Sequence, residues 1–174
     1  MFKILVLTLV GLVALNAANL SVVQGEVKAH TEVFGDSKIE PSTKQIKADL
    51  TMDDSIESLK GKVYFETLSL VSEIKDRDAH MYELLNESKY KTISFDISSV
   101  RKVDENYEVS GTLTLNGISK SVIAKTTINQ VNKNIALSGG FSFNLTDFEI
   151  KPPKLLFLTV RNQIDISYNI AFKK

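Results

Sequence analysis

The sequence is poorest in the residues that do chemistry near neutral pH. Among its 174 residues there is no cysteine and no tryptophan, and there are only two histidines. Without cysteine no disulfide framework can form even in oxidising surroundings, so stability has to come from packing. A zinc-type site needs three or four clustered ligands, some of them usually in close sequence pairs. His30 and His80 lie far apart and belong to no HxH or HExxH pattern, which argues against such a site. No GxSxG elbow offers a serine nucleophile. Excess charge of either sign is also missing: Lys plus Arg and Asp plus Glu both number 21, so nothing draws the chain toward nucleic acid. Internal repeats and low-complexity linkers are absent, and proline is scarce, two of the three prolines being the pair Pro152-Pro153.

Long hydrophobic runs are lacking too. Ile4–Leu15 is apolar but shorter than the roughly 20 residues a membrane-spanning helix needs. It follows Lys3 and precedes Asn16-Ala17-Ala18, a small-residue exit, so residues 1–18 read as a secretory signal peptide cut after Ala17 or Ala18. No cysteine follows the run, which excludes a lipidated-cysteine anchor. The expected fate is export from the cytoplasm. Residues 19–174 then form one domain, and 43% hydrophobic content suits a substantial core.

What the chain has in quantity is two-residue alternation. Ser21–Val33 alternates loosely, and Gln45–Met52 puts Ile46, Ala48, Leu50 and Met52 on one face. Gly61–Val71 is apolar on both sides in part and reads as one strand buried on both faces. Lys91–Val103, Tyr107–Leu115, Ser119–Ile128, Ile135–Leu145 and Gln163–Phe172 alternate more cleanly. Asp104-Glu105-Asn106 and Asn132-Lys133-Asn134 supply turns between them. Asn116-Gly117 is a type I′ hairpin signal, since that turn needs positive φ at both central residues. One stretch breaks the pattern. In Lys75–Phe95, Met81, Leu84 and Leu85 recur at helical spacing, and Asp76 or Asp78 is placed to cap the helix start. About eight short strands with one inserted helix predict a mainly β fold: an eight-stranded antiparallel barrel, whose interior either fills with side chains or holds one ligand.

The helical stretch also carries a resemblance. Arg77-Asp78-Ala79-His80-Met81, then Lys89-Tyr90 and Ile93-Ser94-Phe95, resembles the RDxHL…KYPxIxF signature of the YceI-like family. Gly111–Lys120 (GTLTLNGISK) is similar to that family's GxLTIxGVTK hairpin. Thr92 stands where the family usually has proline, and Leu145–Glu149 lacks the Arg and Gly of its Arg-x-Asp-Phe-Gly stretch. The resemblance implies a secreted bacterial protein with a lipocalin-like barrel holding a long amphiphile: an isoprenoid (quinone-like or polyprenyl) lipid or a fatty-acid derivative. It also implies carriage or storage across the periplasm, with transient contact to a membrane or a membrane cytochrome. Neither a catalytic residue nor a cofactor is expected, and the assembly is expected to be a monomer or homodimer.

Candidate cavity-lining residues follow from the inward faces: Phe95, Ile97, Val109, Leu113, Ala124, Leu137, Phe141, Phe143, Ile166, Tyr168 and Ile170. Small residues on those faces, Gly111, Gly139, Ala124 and Thr126 among them, leave room. Periodicity cannot separate a hollow barrel from a filled one, and a tail buried inside would gain about 0.8 kcal/mol per CH₂. Arg77, Asp78 and His80 read either as a polar mouth for a head group or as a cluster that fixes the loop before the helix. Leu155, Leu156 and Phe157, after the double proline, read as a plug or a mobile lid. Two rival functions stay open on the residues alone: a ligand-free interaction or stress-response module, and a lipid-modifying enzyme with His80 and a carboxylate meeting in the cavity.

Overall fold

The computed structural model describes residues 17–33, 36–155 and 158–174. Apart from Ala17 and Ala18, the expected signal peptide lies outside the described residues, as do Leu156 and Phe157 of the expected lid. The alternating runs become strands: β1 (Ala18–Val33), the short β2 (Asp36–Ile39) and β3 (Ser42–Thr43), β4 (Lys47–Met52) and β5 (Lys60–Glu66). Helix α1 (Lys75–Leu84) follows, then β6 (Thr92–Val103), β7 (Asn106–Leu115), β8 (Ile118–Val131) and β9 (Asn134–Asn144). A small hairpin of β10 (Lys154–Leu155) and β11 (Leu158–Thr159) precedes the last strand, β12 (Gln163–Lys173).

Eight of these strands close into an antiparallel barrel in the order β1-β4-β5-β6-β7-β8-β9-β12, with β12 returning to β1. The closing register runs from Ser21 opposite Lys173 to His30 opposite Asp165, so the first and last strands seal the sheet and no edge remains on this path. Tight turns set the register elsewhere. Asn116 (φ 51°) and Gly117 (φ 72°) both take positive φ, as a type I′ turn demands. A Cβ at Gly117 would stand 2.3 Å from the Tyr90 ring, so only glycine lets the loop after α1 pack on the β7–β8 hairpin.

The two barrel ends differ. At one end Leu20, Leu50, Met52, Leu59, Ile135 and Phe172 are buried against one another and seal it. At the other, Leu85, with Met81 and Leu84, packs on a second cluster of Phe65, Ile93, Leu115 and a fully buried Phe148. Helix α1 therefore lies across this second end. Its last turn is tied down by two amides: Asn86 Nδ2 donates to Asn116 Oδ1 at 2.6 Å, and Asn116 Nδ2 donates to the Phe148 carbonyl at 2.9 Å.

Several expectations change. The strand expected over Gly61–Val71 ends at Glu66, where Thr67–Ser69 forms a 3-10 turn. That turn inverts the facing pattern, so Thr67 is buried while Leu68 and Val71 are half exposed, and the segment is not buried on both faces. Neither Asp76 nor Asp78 caps α1. Ile74 holds the cap position with no side-chain bond. The buried Asp78 reaches back instead and accepts the Ser72 N–H on both carboxylate oxygens, at 2.9 and 3.1 Å. The first strand starts at Ala18, earlier than the expected Ser21, and pairs there with Met52.

Candidate functional site

The inward faces of the eight strands do not close completely on one another above the sealed end. They enclose a cavity of about 870 Å³, within the range of small-molecule sites. Alternation explains the lining: each strand turns every second side chain inward, and almost all of those are apolar. Phe95 and Phe141 stack across the interior with centroids 5.9 Å apart, Phe143 follows at 6.5 Å, and Phe148 meets Phe143 edge-on at 5.1 Å. Val109, Leu137, Ile170 and Phe172 line the deeper part, toward the sealed end.

Charged lining residues gather where the helix lies. Asp76, Arg77, Asp78, His80 and Glu83 come from α1, His30 from β1 and Lys154 from β10. This end is the mouth. Asp78 is committed to the Ser72 backbone and holds the loop before the helix, whereas Arg77 is partly and His80 largely exposed at the rim. His30 Nδ1 lies 3.3 Å from Glu40 Oε1, and Lys28 reaches the same carboxylate at 3.7 Å, which ties the β2–β3 crossing to β1 beside the mouth. Ala29 N–H adds a bond to the Pro41 carbonyl at 2.9 Å. On α1, the Tyr82 hydroxyl donates to the Leu70 carbonyl at 2.9 Å, and burial, with the nearby Asp78 charge, holds its pKa above the usual tyrosine range.

One polar group stands within the wall itself. The Tyr168 hydroxyl and Thr126 Oγ1 are 2.6 Å apart. Gly139 separates the two residues in the sheet, and a Cβ there would come within 2.9 Å of both Thr126 Cα and the Tyr168 hydroxyl. Burial raises the Tyr168 pKa, with the Thr126 bond pulling the other way, so the phenol stays neutral across the physiological range.

Of the eleven residues expected in the lining, ten line the cavity: Phe95, Ile97, Val109, Leu113, Leu137, Phe141, Phe143, Ile166, Tyr168 and Ile170. Ala124 does not. It is 1% exposed and faces inward, but its short side chain is covered by its neighbours in the packed core. Arg77, Asp78 and His80 all sit at the mouth. Lining residues missed from the sequence include Phe65 on β5, Val27 and Thr31 on β1, and Met81, Leu84 and Leu85 on the helix. The helical spacing of the last three was the available signal, since a helix that covers a barrel end must show its apolar face to the interior. Among the described residues, no group of three or more His, Cys, Asp or Glu is placed to hold a metal. No helix among them is long and apolar enough to cross a membrane.

Comparison with known proteins places this geometry. The model of the YceI-like domain family matches residues 18–172. A UPF0312 protein of Pseudomonas savastanoi pv. phaseolicola is 32% identical over 127 residues, covering 68% of this chain and 65% of that protein. The matched part thus spans just under two thirds of that relative's length. A UPF0312 protein of Pseudomonas putida W619 is 32% identical over 144 residues, 77% of this chain and 74% of that one. Among solved structures, BcnA of Burkholderia cenocepacia superposes with a TM-score of 0.75 at 16% identity, covering 84% of this chain and 95% of that one. A polyisoprenoid binding domain from Saccharophagus degradans gives 0.67 at 11% identity, with 88% and 97% covered. At these identities the structural likeness speaks for the fold.

Proposed function

The chain belongs to the YceI-like family, and from that premise we propose that it binds a long-chain amphiphile inside the barrel and carries or stores it without chemical change. The observation that carries this reading is the hollow: an apolar cavity of about 870 Å³, sealed at one end and rimmed with charge at the other. A solidly packed interaction module would have no use for such a space, and its walls would close on it. The Saccharophagus degradans neighbour, described as a polyisoprenoid binding domain, supports a lipid as the occupant class. Isoprenoid lipids (quinone-like or polyprenyl) and fatty-acid derivatives both fit a long apolar sleeve with a polar rim. Each buried methylene contributes about 0.8 kcal/mol, so the tail supplies the affinity and the rim sets orientation. A lipid-modifying enzyme would need His80 and a carboxylate to converge on the buried tail. His80 instead lies at the rim, and Asp78 is engaged with the Ser72 backbone. The leader-like residues 1–18 support the periplasm as the working compartment.

Native mass spectrometry of the protein purified from its own cells, followed by solvent extraction of whatever it holds, tests the reading. One amphiphile per chain is the expected result. A bare chain whose mass stays unchanged after incubation with quinones and long-chain fatty acids overturns it.

A further inference from the structure

Below the mouth the cavity wall is hydrocarbon with one exception. Among the described lining residues, polar side chains gather at the helix-bearing end, apart from Ser94 and Tyr168. Ser94 gives its hydroxyl to Asp96, which pairs with Lys62 on the outside of the barrel. Tyr168 alone brings a polar atom into the interior wall. It stands in the middle of β12, with Ile170 and Phe172 lining the cavity below it.

Either oxygen of this pair can be the donor, and one arrangement of the hydrogens uses both contacts that Thr126 makes. Thr126 is 1% exposed, and the one acceptor its hydroxyl reaches besides Tyr168 is the Ala124 carbonyl, at 3.5 Å. With its own hydrogen turned there, Thr126 accepts from Tyr168. The phenol has then spent its single hydrogen and keeps its acceptor capacity. Thr126 is its only hydrogen-bond partner among the described residues. A saturated tail running past it would leave that oxygen with Thr126 alone, its acceptor capacity unused in an apolar wall. A chain bearing a hydrogen-bond donor at the same depth would satisfy it.

We propose that the preferred ligand carries a hydroxyl part-way along its chain, and that this hydroxyl donates to the phenol oxygen of Tyr168. The inference rests on the carrier reading and narrows it to mid-chain-hydroxylated amphiphiles. Tyr168 thereby acts as a depth gauge: it rewards a polar group at mid-barrel and rejects one elsewhere along the tail.

Ricinoleic acid and oleic acid form a matched pair of probes, differing by one mid-chain hydroxyl. Titration of the full chain with each, in wild type and Tyr168→Phe, reads the ratio of the two affinities. Wild type is expected to bind ricinoleic acid at least as tightly as oleic acid. In Tyr168→Phe the ratio should fall about tenfold against ricinoleic acid, because a buried hydroxyl then finds no partner. Oleic acid bound by both proteins with an unchanged ratio overturns the inference and leaves the carrier reading intact. Wild type that binds neither acid overturns the inference, while the carrier reading falls only if quinones are refused as well. The O-methyl ether of ricinoleic acid makes the test independent of the variant's folding, since it keeps the oxygen and loses the donor. Wild type should bind the ether several-fold more weakly than the alcohol, and equal binding of the two also overturns the inference.

Discussion

Glu149 sits at φ 56°, ψ 24°, a left-handed conformation that side chains other than glycine adopt at a cost. It follows the 3-10 turn Leu145–Phe148 and closes it, its N–H donating to the Thr146 carbonyl at 3.2 Å. The family pattern that this stretch resembles has glycine here, and the backbone explains why. Glu149→Gly should stabilise the fold by about 1 kcal/mol, the relief of strain outweighing the greater freedom of an unfolded glycine. Chemical denaturation checks this, and a decrease in stability would refute it. Asp165 offers a second residue-scale test. Ser142 at 2.6 Å, Gln163 at 2.8 Å and Arg161 all donate to its carboxylate, and these bonds lower its pKa to about 2. The unfolded value is about 4, so between those limits the unfolded chain binds more protons and stability rises with pH. The contribution is complete above about pH 4 and disappears as pH falls toward 2. Its side chain is 37% exposed, so solvent screening keeps the effect below about 1 kcal/mol. Acid unfolding curves of wild type and Asp165→Asn should differ in that window, the variant showing the shallower slope.

Helix α1 is held by its surroundings more than by its own ends. Its start has no side-chain cap, and its end relies on the amide relay Asn86–Asn116–Phe148. Asn116→Gly keeps the positive φ of the hairpin turn and deletes both relay bonds. Amide exchange near Asn86 and at 145–150 should then speed up by roughly tenfold, about 1–2 kcal/mol of local opening, while β7 and β8 keep their protection. Uniform loss of protection would assign the relay to the barrel instead. Much at this scale was legible in the sequence. Met81, Leu84 and Leu85 announced the helix and its buried face, and Asn116-Gly117 announced the hairpin, because both signals are local. The end of β5 was not legible. Thr67, Leu68 and Ser69 read as a continuing strand by composition, and only the 3-10 turn shows which of them is buried. Asp78 misled for a similar reason: a carboxylate near a helix start has several backbone donors in reach, and the loop geometry chose Ser72.

The whole barrel presents a balance between packing and space. Alternation told which side chains face inward, yet the hollow depends on what stands opposite each of them, and that is set by barrel closure. Val109 is 2% exposed and lines the deep cavity. Val109→Phe should fill part of that space, raising the stability of the empty protein by about 1 kcal/mol while weakening oleic acid binding at least tenfold. Thermal unfolding and titration on the same sample check both halves, and retained affinity would show that the tail does not reach this depth. The sealed end has a kinetic consequence. A tube with one opening fills and empties through the same door, so an incoming molecule cannot push the resident out from behind. Exchange then becomes strictly sequential, and its rate follows the departure of the first guest, whatever the concentration of the second. On the proposed carrier reading, delivery is timed by what loosens the rim, and a crowded pool of competitors does not hasten it.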